Sequence, residues 1–355
     1  MLGLREPQPN QMKLTIRKPD DMHVHLRDGL QLASVLQYTA SRFARAVVMP
    51  NLDPPITTTK MALQYRARIL QELPSDLQFN PLMTLYLTEE TTYEEISRAK
   101  DSGIIIGVKY YPAGATTNSN LGVTNIEKVY HIFAELEKHS MPLLVHGEVV
   151  DQHVDVFDRE RIFIDEVLQK IMYRFPALKL VLEHITTQEA VQAVWDGPPT
   201  LAATITVHHL LLNRNALFQG GIQPHHYCLP LVKTEDDRLA LVEAAVSDNP
   251  KFFLGTDSAP HARKTKERAC GCAGIFTAYA ALELYAEVFE KEERLYRLND
   301  FASVRGAEFY GLPKTDETIT LYKTPQTIPN QLLFGSDDLV PFHAGRTCSW
   351  SLVSG

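Results

Sequence analysis

His23-Val24-His25 is the first arrangement along the chain that could do chemistry: on an extended segment the side chains at i and i+2 share a face, so two imidazoles can hold one metal ion. The spacing alone is a weak signal, but Asp20, Asp21, Arg27 and Asp28 crowd polar groups around it. His146 and His184 each end an apolar run, Pro142-Leu-Leu-Val-His146 and Leu180-Val-Leu-Glu-His184. Either one alone reads as an ordinary core histidine; together with the His-x-His pair at equivalent strand ends they make a shared metal site. Lys109, in Gly107-Val-Lys-Tyr-Tyr-Pro112, would place an ammonium beside those cations. It either snorkels to a carboxylate or, as a neutral amine, adds carbon dioxide and becomes an anionic carbamate able to bridge two metals. Asp257, in Gly255-Thr-Asp-Ser-Ala-Pro-His261, is either a turn residue or a carboxylate that ligates a metal and carries a proton.

The elements that must position these groups are short and regular. Eight apolar, β-rich runs recur, at Lys13–Arg17, Arg45–Met49, Asn80–Leu87, Ile104–Tyr110, Pro142–Val145, Lys179–Leu182, Leu201–Thr206 and Lys251–Leu254. Helix-like segments lie between them, the alternation of a parallel α/β protein. Thr92-x-x-Glu95, Thr124-x-x-Glu127 and Thr186-x-x-Glu189 predict helix starts with capping boxes, and Pro198-Pro199 closes the helix before the seventh run. His23, His25, Asn51, Lys109, His146, His184 and Asp257 all fall at or just after the ends of these runs. A (β/α)8 TIM barrel gathers its strand ends around one pocket, whereas a doubly wound sheet would need a switch point, and no G-x-G-x-x-G follows an early strand. The expectation is α/β: a barrel spanning residues 1–355 as one domain, with 312–355 as an appended C-terminal segment. Gly274–Glu293 predicts a long helix and Asn299–Tyr310 a short one. Thr318–Leu321, Leu332–Phe334 and Cys348–Val353 predict β pieces of a flap rather than of a second domain.

Composition narrows the functional classes. With 45% hydrophobic and 22% charged residues the chain can bury a large core, which excludes fibrous and disordered classes. The balance of 35 basic against 43 acidic residues offers no global positive field for nucleic acid or an anionic membrane. No apolar stretch approaches membrane-span length, and Met1–Lys18 lacks the apolar region of a signal peptide. Cys228, Cys270, Cys272 and Cys348 match neither a CxxC zinc pair nor a disulfide framework, so a reducing cytoplasm is expected. Cys270-Gly-Cys272 reads as a loop thiol pair. His208-His209 and His225-His226 read as surface or pocket-rim residues.

The motifs Asp20-Asp-Met-His-Val-His-Leu-Arg-Asp-Gly29, Val48-Met-Pro-Asn-Leu52, Pro112–Asn118, Pro142–Glu148, Glu183-His-Ile-Thr-Thr187, Gly255–Arg263 and Cys270-Gly-Cys-Ala-Gly274 closely resemble the dihydroorotases of the bacterial single-domain type, within the metal-dependent amidohydrolase superfamily. The resemblance runs from about residue 13 to 345. It implies two Zn2+ per subunit: one on His23, His25 and Asp257, a second on His146 and His184, with carboxylated Lys109 (formed with carbon dioxide or bicarbonate) and a hydroxide between them. It assigns Arg27, Asn51 and His261 to a substrate carboxylate and Leu229, Ala259 and Ala273 to the substrate ring. Thr116 and Thr117 would ride a lid over 112–122 that closes on the open-chain substrate. Asp53 is the one local departure, polar where a small apolar residue is expected, and it leaves Asn51 in place.

The implied activity is reversible cyclisation of N-carbamoyl-L-aspartate to L-dihydroorotate in pyrimidine synthesis, with Asp257 as general acid/base, in a cytoplasmic homodimer. Two cations outweigh carbamate, Asp257 and hydroxide by one charge, so the pocket would be locally positive, as a dianionic substrate requires. Hydantoinase- or allantoinase-like hydrolases are the alternative within the same chemistry. They usually carry a β-sandwich built from both chain ends, for which the stretch before His23 is short. A metal-free scaffold for a carbamoyltransferase would have lost ligands, and none is lost.

Overall fold

A computed structural model describes residues 12–352. Nine strands precede the C-terminal region: β1 (Lys13–Arg17), β2 (Asp20–Val24), β3 (Arg45–Val48), β4 (Asn80–Tyr86), β5 (Ile105–Tyr110), β6 (Leu143–Val145), β7 (Leu180–Leu182), β8 (Leu201–Ile205) and β9 (Phe252–Leu254). Strands β2 to β9 form one eight-stranded sheet in sequential order, every neighbour parallel. The two edges meet through Asp257 N–H to His23 O (2.8 Å) and His25 N–H to Ser258 O (3.0 Å), so the sheet closes as a (β/α)8 TIM barrel.

Seven of the eight predicted runs are barrel strands, to within a residue or two at their ends. The first is not. Lys13–Arg17 pairs antiparallel with β10 (Thr318–Tyr322), whose other edge takes β15 (Ser351–Leu352). The strand that begins the barrel is Asp20–Val24, hidden from the apolar-run criterion by Asp20, Asp21 and His23, all buried. Both chain ends therefore contribute to a small three-stranded sheet outside the barrel. The remaining C-terminal strands form two short antiparallel pairs: β11 (Gln326–Thr327) with β14 (Thr347–Cys348), and between them in sequence the hairpin of β12 (Leu332–Phe334) with β13 (Asp337–Leu339). Val353 lies outside the described residues.

Burial on both faces explains the β-branched, nearly unbroken apolar character of the barrel strands. Inside, Met22, Val47, Leu82, Leu144, Val181, Ala202 and Phe253, from seven different strands, pack as one cluster. The helix Arg305–Tyr310 lays Phe309 and Tyr310 on it from the end where Lys179, just before β7, donates to Phe309 O. That plugs the amino-terminal end of the barrel and leaves the carboxyl ends open for a site.

Local signals held unevenly. Thr92 caps the helix Tyr93–Ser102 by accepting from Glu95 N–H, as predicted, but the return bond of the capping box is missing because the Glu95 carboxylate accepts from Thr59 N–H and Arg98. In the other two cases the cap is one residue on: Asn125 caps 126–129, and Thr187 caps Gln188–Asp196. Thr124 and Thr186 are instead recruited by carboxylates, donating to Glu89 and Glu160 respectively. The predicted helix from Gly274 starts only at Ala281, because Ile275 and Phe276 bridge to Ser258 and Pro341. The predicted helix 299–310 is two, Leu298–Ser303 and Arg305–Tyr310.

Candidate active site

The open end of the barrel holds a pocket lined by His23, His25, Arg27, Asn51, Tyr111, Thr116, Thr117, His146, His184, Leu229, Asp257, Ala259, Ala273 and Gly274. His23 is on β2 itself; His146, His184 and Asp257 follow β6, β7 and β9 by one to three residues. Four imidazoles run across the floor: ring centres of His25 and His23 are 5.3 Å apart, His23 and His184 4.9 Å, His184 and His146 4.9 Å. His25 Nε2 lies 3.0 Å and His23 Nε2 3.4 Å from Asp257 Oδ1, and the two Nε2 atoms are 3.3 Å apart.

The outer nitrogens decide what the inner ones present. His23 Nδ1 donates to Glu183 Oε2 (2.9 Å), itself held by Thr204 Oγ1 (2.6 Å), and His25 Nδ1 donates to Asn51 Oδ1 (2.8 Å). Both rings thereby turn Nε2 lone pairs toward each other and toward the Asp257 carboxylate, an arrangement that repels itself unless a cation stands between. In the metal-free protein a proton answers the same need: burial opposes charging of His23, but Glu183 and Asp257 outweigh it and raise its pKa. His25 is pushed down to about 4 by burial. Asp257 is held well below the usual carboxylate range, because hydrogen bonds from His23 and His25 overcome the burial that opposes them. The set of two imidazoles and one carboxylate fits a divalent ion.

The second half of the site fits as well. His146 Nε2 pairs with Glu148 Oε2 at 2.8 Å, while His184 Nδ1 is buried without a hydrogen-bond partner among the described residues. Lys109, the penultimate residue of β5, has no exposed surface, and its Nζ has no hydrogen-bond partner among the described residues. Its Nζ lies 5.0 Å from the centre of the Tyr111 ring and feels the charges of Glu183 and Asp257. Burial lowers the ammonium to about 8. Snorkelling, the ordinary fate of a strand-end lysine, is closed to it.

Arg27 does not pair with Asp28, which is taken by Arg68 at 2.7 Å. Its Nε donates to Pro260 O (2.9 Å), and one terminal nitrogen faces His261 Nε2 at 3.0 Å, so Arg27 and His261 stand side by side. Asn51 spends its oxygen on His25 and donates from Nδ2 to Thr117 O (3.1 Å). The 112–122 loop is drawn over the mouth by that bond, by Asn118 Nδ2 to Asn51 O (3.0 Å) and by Thr117 Oγ1 to Ala273 O (3.3 Å). Every residue expected at the site is therefore in or against this one pocket.

Sequence reasoning left several neighbours without a role. Glu183 and Glu148 stand inside quoted motifs, one residue before His184 and two after His146, a spacing that could have flagged them as partners of the histidines. Asp21 accepts from Thr256 N–H and Oγ1 (2.8 and 2.6 Å), tying β2 to the turn before Asp257; burial pushes it up to about 7. Lys266 is caged by the carbonyls of Tyr227, Cys272 and Gly274 (3.0, 3.0 and 2.6 Å), binding the 270–274 loop to the segment that carries Leu229. Nothing in the local sequence announces that cage. His208 and His209, expected at the surface or rim, are buried, because the helix Val207–Leu211 turns inward from β8.

Residues 20–321 match the amidohydrolase family. The dihydroorotase of Nitrosococcus oceani is 59% identical over 340 residues, 96% of this chain and 99% of its own. The chain belongs to the dihydroorotase family. Among solved structures, that of Campylobacter jejuni dihydroorotase is 36% identical with a TM-score of 0.89, covering 99% of both chains. Saccharomyces cerevisiae dihydroorotase, in complex with 5-fluoroorotic acid, is 34% identical with the same TM-score, covering 96% of this chain and 98% of its own. The family assignment makes the protein an amidohydrolase of the barrel type and agrees with the donor set described above.

Proposed function

We propose that this chain cyclises N-carbamoyl-L-aspartate to L-dihydroorotate, and reopens the ring, with two zinc ions held at the strand-end pocket. The observation that carries the reading is the gathering of four histidines, Asp257 and an unpartnered, fully buried Lys109 at one pocket, in a chain 59% identical to a dihydroorotase. His23, His25 and Asp257 would hold one cation, His146 and His184 the other, and Lys109 would bridge them as a carbamate. That modification is balanced: the neutral Nζ forms a bond to the carbon of CO2 and loses one proton to solvent. When bound, the cation pair supplies the charge that polarises a carbonyl and acidifies a water near neutral pH.

The protein's own groups do the rest. Arg27 presents a planar fork beside His261 to one substrate carboxylate, with Asn51 at the same wall. The backbone at Leu229, Ala259 and Ala273 borders the ring, and Thr116 and Thr117 reach down from the loop that excludes water. Asp257 moves the proton: in ring opening it accepts one from the attacking water and delivers it to the departing ring nitrogen, and closure reverses both transfers. We read the protein as a cytoplasmic homodimer, a setting that suits four cysteines all free of disulfides.

The test is ring closure by purified protein supplied with zinc and bicarbonate, with a chelator-treated control and with hydantoin and allantoin as competing substrates. Chelator-sensitive dihydroorotate formation, faster than turnover of either alternative, is expected. No dihydroorotate from protein holding two zinc ions would overturn the substrate assignment and leave the metal site standing.

A further inference from the structure

Behind the wall that Leu229 contributes to the pocket lies a second group of metal-capable side chains. His208 and His209 belong to the helix Val207–Leu211 that follows β8, and Cys228 precedes Leu229 directly. All three are buried, at 0%, 2% and 1% exposure, and their donor atoms lie within 4.8 Å of one another. His209 Nε2 is 3.7 Å from Cys228 Sγ and 3.1 Å from the Pro230 carbonyl oxygen, and Sγ is 3.3 Å from that same oxygen.

Those spacings carry information. Zinc bonds of roughly 2.0–2.1 Å to nitrogen or oxygen and ~2.3 Å to sulfur, set at the tetrahedral angle, separate donors by roughly 3.4–3.6 Å. Nε2, Sγ and the Pro230 oxygen, joined by hydrogen bonds of 3.1–3.7 Å in the metal-free protein, need shift by only a few tenths of an ångström to form one face of such a tetrahedron. His209 Nδ1 is fixed by Thr206 Oγ1 at 2.7 Å, the outer-shell bond that orients a ligating imidazole. His208 offers a further donor, one ring nitrogen lying within 4.8 Å of the His209 and Cys228 ligand atoms. Among the described residues neither ring nitrogen of His208 has a hydrogen-bond partner, although the ring has no exposed surface. A buried polar atom left unpaired destabilises the fold, so a ring that served only to fill volume would be better replaced by an apolar one.

We propose that His208, His209, Cys228 and the Pro230 carbonyl form a second, structural site for a zinc-class divalent cation, distinct from the catalytic cluster. Binding breaks the Cys228 S–H bond, sends the proton to solvent and leaves a thiolate on the metal. Burial otherwise keeps this thiol protonated, raising it to about 12, while the nearby Lys266 ammonium works in the thiolate's favour. The ligands come from the helix after β8 and from the two residues flanking Leu229. An ion here therefore ties the ring-facing Leu229 to the barrel and braces the pocket wall without touching substrate.

Cobalt(II) distinguishes the two sites, because a thiolate ligand gives a sulfur-to-cobalt charge-transfer band in the near ultraviolet and the catalytic donors are all nitrogen and oxygen. Cobalt-loaded protein should show the band and bind one metal ion more per chain than Cys228→Ser, which should lack it. A Cys270→Ser/Cys272→Ser double variant should keep it. His208→Gln, which retains a polar side chain of similar reach, should lose most of its intensity while unfolding as cooperatively as the wild type. Independently of any variant, bound zinc should protect Cys228 of the wild-type protein from alkylation as read by mass spectrometry. A wild-type protein without the band, a band that survives in Cys228→Ser or undiminished in His208→Gln, or alkylation of Cys228 indifferent to zinc would each overturn the site. None of these readings depends on turnover, so the site stands or falls separately from the proposed reaction.

Discussion

Lys109→Met should make the metal-free protein more stable while abolishing ring closure. In the folded chain burial lowers the Lys109 ammonium from the ordinary 10.5 to about 8. At ~1.4 kcal/mol per tenfold, the folded state at pH 7 is therefore penalised by about 3 kcal/mol relative to an unfolded chain in which this lysine is hydrated. The unfolded chain holds the proton more tightly, so stability rises with pH between about 8 and 10.5. The penalty is complete below that window and absent above it. Methionine keeps a side chain of similar length and discards the charge, so the variant should gain most of that 3 kcal/mol at pH 7. Its advantage should shrink toward nothing near pH 10.5. The assay is denaturant unfolding of both chelator-treated proteins, at pH 7 and at successively higher pH. Other titrating groups are common to the two, so the difference reports Lys109 together with its interactions with Glu183, Asp257 and the site histidines. A variant no more stable than wild type at pH 7, or an advantage that does not close with pH, would refute the reasoning. The same lowering has a chemical counterpart: the neutral amine that reacts with carbon dioxide is about 300-fold more abundant at pH 7 than in a free lysine.

Three further outcomes are expected. Glu183→Gln removes the carboxylate that holds His23 Nδ1 and should weaken zinc binding about 10- to 100-fold in chelator competition; unchanged affinity would remove Glu183 from the metal's support. Arg27→Lys keeps the charge but loses the planar fork, so KM for N-carbamoyl-aspartate should rise more than kcat falls, and a purely kcat effect would place Arg27 outside substrate binding. Arg42 makes a bidentate pair with the fully buried Glu283 (2.9 and 2.6 Å). Arg42→Met should cost on the order of 3–5 kcal/mol in unfolding experiments, much of it recovered by adding Glu283→Leu; a double variant no better than the single would deny that the unpaired charge is the cost.

Seven barrel strands were legible because strands covered on both faces must be apolar, and the residues ending them stood out as polar exceptions. The eighth was not, for the same physical reason in reverse: β2 carries Asp20, Asp21 and His23. Asp20 is neutralised across the sheet by Arg45 (2.8 and 2.5 Å), and Asp21 is satisfied by Thr256, whose position in space no local rule supplies. Lys13–Arg17 alternates polar and apolar residues, as a strand with one covered face does, and its partner is more than 300 residues away. The pocket residues were legible through the family motifs. Their supporting atoms were legible only where sequence neighbours supply them, as Glu148 does for His146, and not where Lys266 reaches three separate carbonyls.

The backbone at the pocket shows why its residues must be where they are. Arg27, His184 and Asp257 have φ values of 61°, 43° and 44°, in the left-handed region that non-glycine residues avoid. Each such residue costs on the order of 1–3 kcal/mol and persists only where its surroundings over-determine it. Here they do: His184 N–H is held by Thr204 Oγ1 (2.6 Å), Asp257 N–H by His23 O (2.8 Å), and the Arg27 carbonyl by Tyr65 Oη (2.5 Å). Thr204 holds His184 and Glu183 at once, so one hydroxyl from β8 positions a candidate ligand of one cation and the carboxylate behind a ligand of the other. Thr204→Val keeps the β-branched shape and removes that bond to both. Both metal sites should therefore weaken together in stepwise zinc removal, whereas loss of one ion alone would show that the two halves are set independently.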